Sequence, residues 1–227
     1  MTMAPVDLDD ITRRADRALR TAFPDGAVSR IEPLQGGASS LTYLAAVDGP
    51  AGVPTEAVAK VAPPGLEPVR NRDVLRQARL LAVLGDRDGV AVPAVFGSDA
   101  GDPPQRPPLF VMSYVPGESY EPLRAEAGST GPDDTELRAR VDAAVSMLAA
   151  LQRPELADRF PGEPRVTLDD EIGKWARALS TVDPDWIPGA ADCEKALRAA
   201  RPAEMSPVVL HGDWLLGNMQ CVGGEVR

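Results

Sequence analysis

The chain has 227 residues, 44% apolar and 26% charged, a balance that permits a packed globular core. Its formal net charge of -10 argues against nucleic-acid and anionic-membrane partners, and no apolar run approaches the ~20 residues of a membrane helix. Met1 to Asp10 shows no signal peptide and the two cysteines form no disulfide framework, which fits a reducing cytoplasmic setting, while a lone histidine excludes a multi-histidine metal site. Asp7 to Phe23 is the first predicted helix: Ile11, Ala15, Ala18, Leu19 and Ala22 recur at helical spacing, and Pro24-Asp25-Gly26 closes it. Predicted strands follow at Val28 to Leu34, Leu41 to Val47 and Glu56 to Ala62, with the small-residue turn Gln35 to Ser40 between the first two. Glu67 to Leu84 reads as a helix with Val74, Ala78 and Leu81 on one face. Ala94 to Gly97 and Leu109 to Val115 read as two more strands, joined by a Pro- and Gly-rich segment.

After Pro116-Gly117 the pattern changes to loop and helix. Asp134 to Leu151 is a helix whose apolar line is Leu137, Val141, Ala144, Val145, Leu148 and Leu151. Leu168 to Leu179 is another, with Thr167 as N-cap and Asp170 three residues on, and Asp192 to Ala200 a third. Trp175 falls at helical spacing, where a tryptophan more often packs in a core; with Trp186 it could alternatively line a substrate pocket. A short apolar strand, Val208 to Leu210, precedes a polar loop, and Gln220-Cys221-Val222 with Glu225-Val226-Arg227 reads as a hairpin across Gly223-Gly224. Five strands followed by helices predict an α+β protein with two lobes, divided within Val115 to Leu123.

Chemistry concentrates in His211-Gly212-Asp213-Trp214-Leu215-Leu216-Gly217-Asn218. A carboxylate at the start of a loop can accept or orient the proton of an attacking hydroxyl. A carboxamide five residues on can offer a hard oxygen to magnesium held by nucleotide phosphates. The same residues fit a plainer role, with Asp213 capping a turn and Asn218 in left-handed geometry. Lys60 stands in the apolar strand Ala57-Val58-Ala59-Lys60-Val61, where it either snorkels to water at an edge or meets an anion. Gly36, Gly37, Ala38, Ser39 and Ser40 form a hairpin loop or a cover over phosphates; no Walker loop and no G-x-G-x-x-G occurs. No G-x-S-x-G elbow supports a hydrolase.

His-Gly-Asp, four residues and Asn at 211 to 218 resembles the catalytic loop of the aminoglycoside phosphotransferase and choline kinase group, which has the protein-kinase-like fold. The wording from Val74 to Leu81, Val90-Ala91-Val92-Pro93 and Pro108 to Gly117 is similar to an uncharacterised bacterial branch of that group. The resemblance implies an N-terminal helical segment (1–27), an N-lobe of antiparallel sheet plus helix (28–115), and a helical C-lobe (116–227) cut short at its C-terminus. It implies a small-molecule kinase that moves the γ-phosphoryl group of ATP or GTP to a hydroxyl, with magnesium. Asp213 would be the base or orienter, Asn218 a metal ligand, and His211 a support for the loop. Lys60 would hold the α and β phosphates, and the hinge backbone at Ser113, Tyr114 and Val115 would meet the base edge. Where related kinases carry a Glu that orients this lysine, Gln77 stands here, with Asp73 as the weaker candidate. The second acidic metal ligand of the family is not found before Arg227, and Glu225 lies too early for it, so the resemblance implies a piece of a longer phosphotransferase. A non-catalytic nucleotide-binding module remains the alternative.

Overall fold

The computed structural model describes residues 7–34, 40–85, 87–121 and 131–227. The chain divides into two compact units, Met1–Leu151 with His211–Arg227, and Gln152–Leu210.

The first unit begins with α1 (Leu8–Leu19), whose first turn is capped by the Asp7 carboxylate accepting from Asp10 N–H at 3.0 Å. The predicted extension to Phe23 is a turn instead, and Phe23 leaves the helix to meet Phe96 edge-on at 4.9 Å. Five strands follow as one antiparallel sheet in the order β1-β2-β3-β5-β4: β1 (Ala27–Pro33), β2 (Leu41–Asp48), β3 (Glu56–Val61), β4 (Val95–Asp99) and β5 (Leu109–Ser113). Between β3 and β4 lies α2 (Val74–Leu84). It starts seven residues later than the sequence suggests, because Pro68 breaks the run and Asp73 caps Arg76 N–H at 2.8 Å.

Period-two alternation gives the sheet two faces. Ala57, Ala59 and Val61 of β3 pack with Ile11, Ala15, Ala18 and Leu19 of α1. On the other face Ala62 and Phe110 pack with Val74 and Ala78 of α2. Lys60 belongs to this second face by the same alternation, and its Cα partners are Thr42 and Phe110. It therefore sits on the central strand, not at an edge.

The unit closes with α3 (Asp134–Leu151), the loop from His211, and a two-stranded hairpin of β6 (Cys221–Val222) and β7 (Glu225–Val226). α3 has the predicted limits, but its buried residues are Arg140, Ala144, Ala150 and Leu151, while Val141 and Val145 face outward. The predicted apolar line is rotated because a guanidinium occupies the inner face.

The second unit holds α4 (Pro154–Ala157), α5 (Leu168–Leu179) and α6 (Ala190–Ala200). α5 has the expected limits and a capping box between Thr167 and Asp170. Arg198 of α6 reaches Asp169 of α5 at 2.9 Å. Two readings are corrected here. Val208 to Leu210 forms no strand: Pro207 lacks a donor, no strand pairs with the segment among the described residues, and Leu210 is exposed. Trp175 is exposed rather than core, as is Trp186; the Trp175 indole donates to Glu171 at 2.9 Å. Among the described residues no helix is long and apolar enough to cross a membrane.

Candidate active site

Gly212 has φ +82°, a left-handed conformation that a side chain would resist, and it turns the chain sharply between His211 and Asp213. The Asp213 N–H donates to His211 Nδ1 at 3.3 Å, and the His211 ring meets Trp214 edge-on at 5.2 Å. His211 thus braces the turn from within the loop. Leu216–Asn218 then forms a single 3-10 turn, which brings Asn218 back over Asp213. The Asn218 Nδ2 group donates to Asp213 Oδ2 at 2.8 Å and to the Asp213 carbonyl at 3.0 Å. With Nδ2 engaged in this way, Oδ1 of Asn218 is the atom left to accept or ligate. Asp213 and Asn218, five apart in sequence, form one exposed polar cluster.

The loop is anchored at its C-terminal end. Met219 and Cys221 are buried against Ala144 of α3, with Trp214 and Leu216 partly buried beside them. Cys221 exchanges two backbone hydrogen bonds with Glu118, each 2.9 Å, so the hairpin pairs with the segment that leaves β5. Burial pushes the Cys221 thiol pKa up. Gly217 N–H lies 3.4 Å from Glu121 Oε2, and a Cβ at Gly217 would stand 2.9 Å from the Glu121 Cβ. Glycine there is a matter of space. Arg140 of α3 donates to the Glu118 carboxylate, to Glu136 Oε1 at 2.6 Å and to the Gly223 carbonyl at 2.9 Å.

The other expected site residues fall in the sheet. Burial holds the Lys60 ammonium below its ordinary pKa, since little water reaches it. Among the described residues no ion pair or hydrogen bond to Lys60 is found. Gln77, expected as a partner of Lys60, instead donates its side-chain amide to the Asn71 carbonyl at 2.9 Å. Asp73 is occupied as the cap of α2. Ser113 is tied to Ala94 through both its N–H and its hydroxyl oxygen, at 2.8 and 3.0 Å, so its backbone donor is taken. Tyr114 and Val115 lie just beyond the ladder. Ser40 is buried, while Gly36, Gly37, Ala38 and Ser39 lie outside the described residues.

The sequence reading missed Glu118, Glu121 and Arg140. Arg140 had a usable signal: it stands one turn before Ala144 on the same face of a helix whose apolar line it interrupts. The two glutamates follow Gly117 in a stretch without periodicity and offered none.

Among the described residues no cluster of three or more His, Cys, Asp or Glu side chains is placed to hold a metal. Asn218 Oδ1 offers a hard oxygen beside the Asp213 carboxylate. A hard carboxamide oxygen suits magnesium, which keeps several waters and is completed by substrate phosphates, and does not suit zinc.

Three comparisons bear on this arrangement. The profile described as the phosphotransferase enzyme family matches residues 30–226. A candidate aminoglycoside phosphotransferase from Ralstonia eutropha JMP134 is similar in structure, with a TM-score of 0.64 and 18% identity over 87% of this chain and 56% of that one. APH(2″)-IIIa, solved with GDP and kanamycin, has a TM-score of 0.60 and 18% identity over 92% of this chain and 68% of that one. The chain thus spans a little over half the length of the Ralstonia protein. No curated protein matches it in sequence.

Proposed function

The chain belongs to the phosphotransferase enzyme family, and from that premise we propose that it serves to transfer the γ-phosphoryl group of ATP or GTP to a hydroxyl of a small molecule. The observation that carries this reading is the Asp213–Asn218 pair, with one carboxylate oxygen and one carboxamide oxygen left to act on ligands. Asp213 would accept or orient the proton of the attacking hydroxyl. Asn218 Oδ1 would hold magnesium, which when bound supplies charge for the nucleotide phosphates. Lys60, desolvated on the central strand, would contact the α and β phosphates, where a poorly hydrated cation interacts strongly with an anion. Because the Ser113 N–H is taken, the hinge backbone donors left to meet the base are those of Tyr114 and Val115. Two free cysteines, one of them buried, fit a reducing cytoplasmic setting.

The test is turnover. The full-length protein that carries this chain, with magnesium and either nucleotide, is expected to phosphorylate a member of a panel of amino alcohols, sugars and aminoglycosides. Asp213→Ala should lower the rate by about a thousandfold, within the range of general acid–base effects. An Asp213→Ala protein as fast as its parent would overturn the role of the carboxylate.

One observation favours a second reading, a nucleotide-binding module without catalysis. A neutral Gln77 stands where a Glu would orient the lysine, and Lys60 has no acidic partner among the described residues. Thermal stabilisation by ATP and magnesium in the absence of any turnover would select this reading.

A further inference from the structure

We propose that Arg140 is a positioning residue that sets the Asp213–Asn218 loop by clamping the hairpin behind it. The loop's chemistry rests on the phosphoryl-transfer reading; the clamp itself rests on geometry alone.

Arg140 is 1% exposed, and its side chain converges on three chain segments. Glu136 lies one turn back on α3, Glu118 lies on the segment leaving the sheet, and Gly223 lies in the turn of the β6–β7 hairpin. A buried guanidinium is costly unless its charge and its donors are matched, and a well-packed apolar residue is as stable or more so. What the arginine adds is direction. A planar fork fixes the relative placement of the groups it binds. Here those groups bracket one residue, Cys221: the backbone of Glu118 pairs with Cys221, and Gly223 follows it by two. Cys221 in turn lies three residues after Asn218, in the buried cluster that holds Met219 to Ala144. Pulling Arg140 away leaves the hairpin held to the segment at Glu118 by the Cys221 backbone pair alone, and loosens with it the end of the 3-10 turn that presents Asn218 to Asp213.

Arg14 is the internal control. It is likewise buried, at 0% exposed, and binds Asp99 and the Pro107 carbonyl, but none of its partners belongs to the loop or the hairpin.

The experiment uses the full-length protein with Arg140→Lys, Glu118→Ala, their combination, and Arg14→Lys. Lysine keeps the charge but cannot reach three acceptors at once. Arg140→Lys is expected to lower kcat about tenfold and to raise the magnesium needed for half-maximal rate about fivefold, with KM for the acceptor unchanged. Amide exchange at Met219 and Cys221 should quicken by about tenfold. Glu118→Ala should shift both readouts the same way, and the double variant should be no worse than Arg140→Lys. Arg14→Lys should lower only the melting temperature. If Arg140→Lys behaves like Arg14→Lys, losing stability with its magnesium dependence and exchange intact, the residue is structural and the proposal is overturned. If the parent turns over no nucleotide, the phosphoryl-transfer reading fails by itself, and exchange decides the clamp: unchanged protection at Met219 and Cys221 overturns it. Should Arg140→Lys not fold, Glu118→Ala, which removes an exposed carboxylate, decides between the same two outcomes by the same measurements.

Discussion

The two halves of the candidate site are held in place by different physics. Lys60 stands on the central strand of a sheet packed on both faces, with α1 covering one and α2 the other. Asp213 and Asn218 stand on an exposed loop whose own buried cluster is three residues, Ala144, Met219 and Cys221. That loop relies on directional ties: the Cys221–Glu118 backbone pair, the Arg140 fork, and the contact of Gly217 with Glu121. A sheet core tolerates the loss of any one polar contact but is sensitive to volume. A polar loop has the opposite sensitivities. The contrast teaches where to expect stability effects and where to expect activity effects.

The largest test lies on the loop. Asp213→Asn keeps shape and removes charge, and is expected to cost about a thousandfold in rate while the melting temperature stays within a few degrees. A large loss of stability would break the contrast. Its mirror lies in the sheet. Phe110→Ala, at a fully buried ring against α2, should destabilise by about 3–5 kcal/mol, read from urea unfolding. Gly217→Ala is intermediate: a methyl 2.9 Å from the Glu121 Cβ must displace that side chain or the loop, and kcat is expected to fall about tenfold with little change in unfolding.

Lys60→Met sharpens the contrast further, because there the two demands oppose each other. Burial lowers the Lys60 pKa, so the charged form destabilises the fold at any pH where the unfolded lysine is protonated. The penalty is complete below the lowered folded pKa and fades as pH rises from there toward 10.5, the ordinary lysine value. Lys60→Met should therefore raise the melting temperature at pH 7 by about a few degrees while abolishing nucleotide-dependent stabilisation. The gain over the parent should shrink as pH rises toward that ordinary value of 10.5. The smallest effect concerns acid. Burial opposes ionisation of Asp99, but hydrogen bonds from Arg14 and Gly101 outweigh it and hold the carboxyl below its ordinary 3.8. Its contribution is present above that pH and is lost as pH falls through the lower folded value. Asp99→Asn should therefore be less stable than the parent at neutral pH, with the difference shrinking as pH falls below the ordinary 3.8, followed by acid titration of the unfolding signal.

Much of the fold was legible because local rules and tertiary demands agree. α5 has the limits its capping box implies, and the strands carrying Lys60 and Phe110 run where the apolar runs lie. The failures share a cause, which is dependence on a distant partner. Val208 to Leu210 has the composition of a strand, but composition does not supply a neighbour to pair with. The inner face of α3 is turned toward Arg140 by Glu118 and Gly223, residues 22 and 83 positions away. At the site, the spacing of Asp213 and Asn218 was enough to bring them together, because one 3-10 turn spans the interval. No bond joins Gln77 to Lys60 among the described residues: the Gln77 amide N–H donates to Asn71, much nearer in the chain, and that bond involves the donor rather than the oxygen expected to accept from Lys60.

The two thiols give the hairpin a chemical clock. Cys193 is exposed, whereas Cys221 is buried and its thiolate disfavoured. An alkylating reagent should modify Cys193 at once and reach Cys221 only in the moments when the β6–β7 hairpin parts from Glu118. The lag between the two labels measures how often that parting occurs, in the unaltered chain and without a probe added to it.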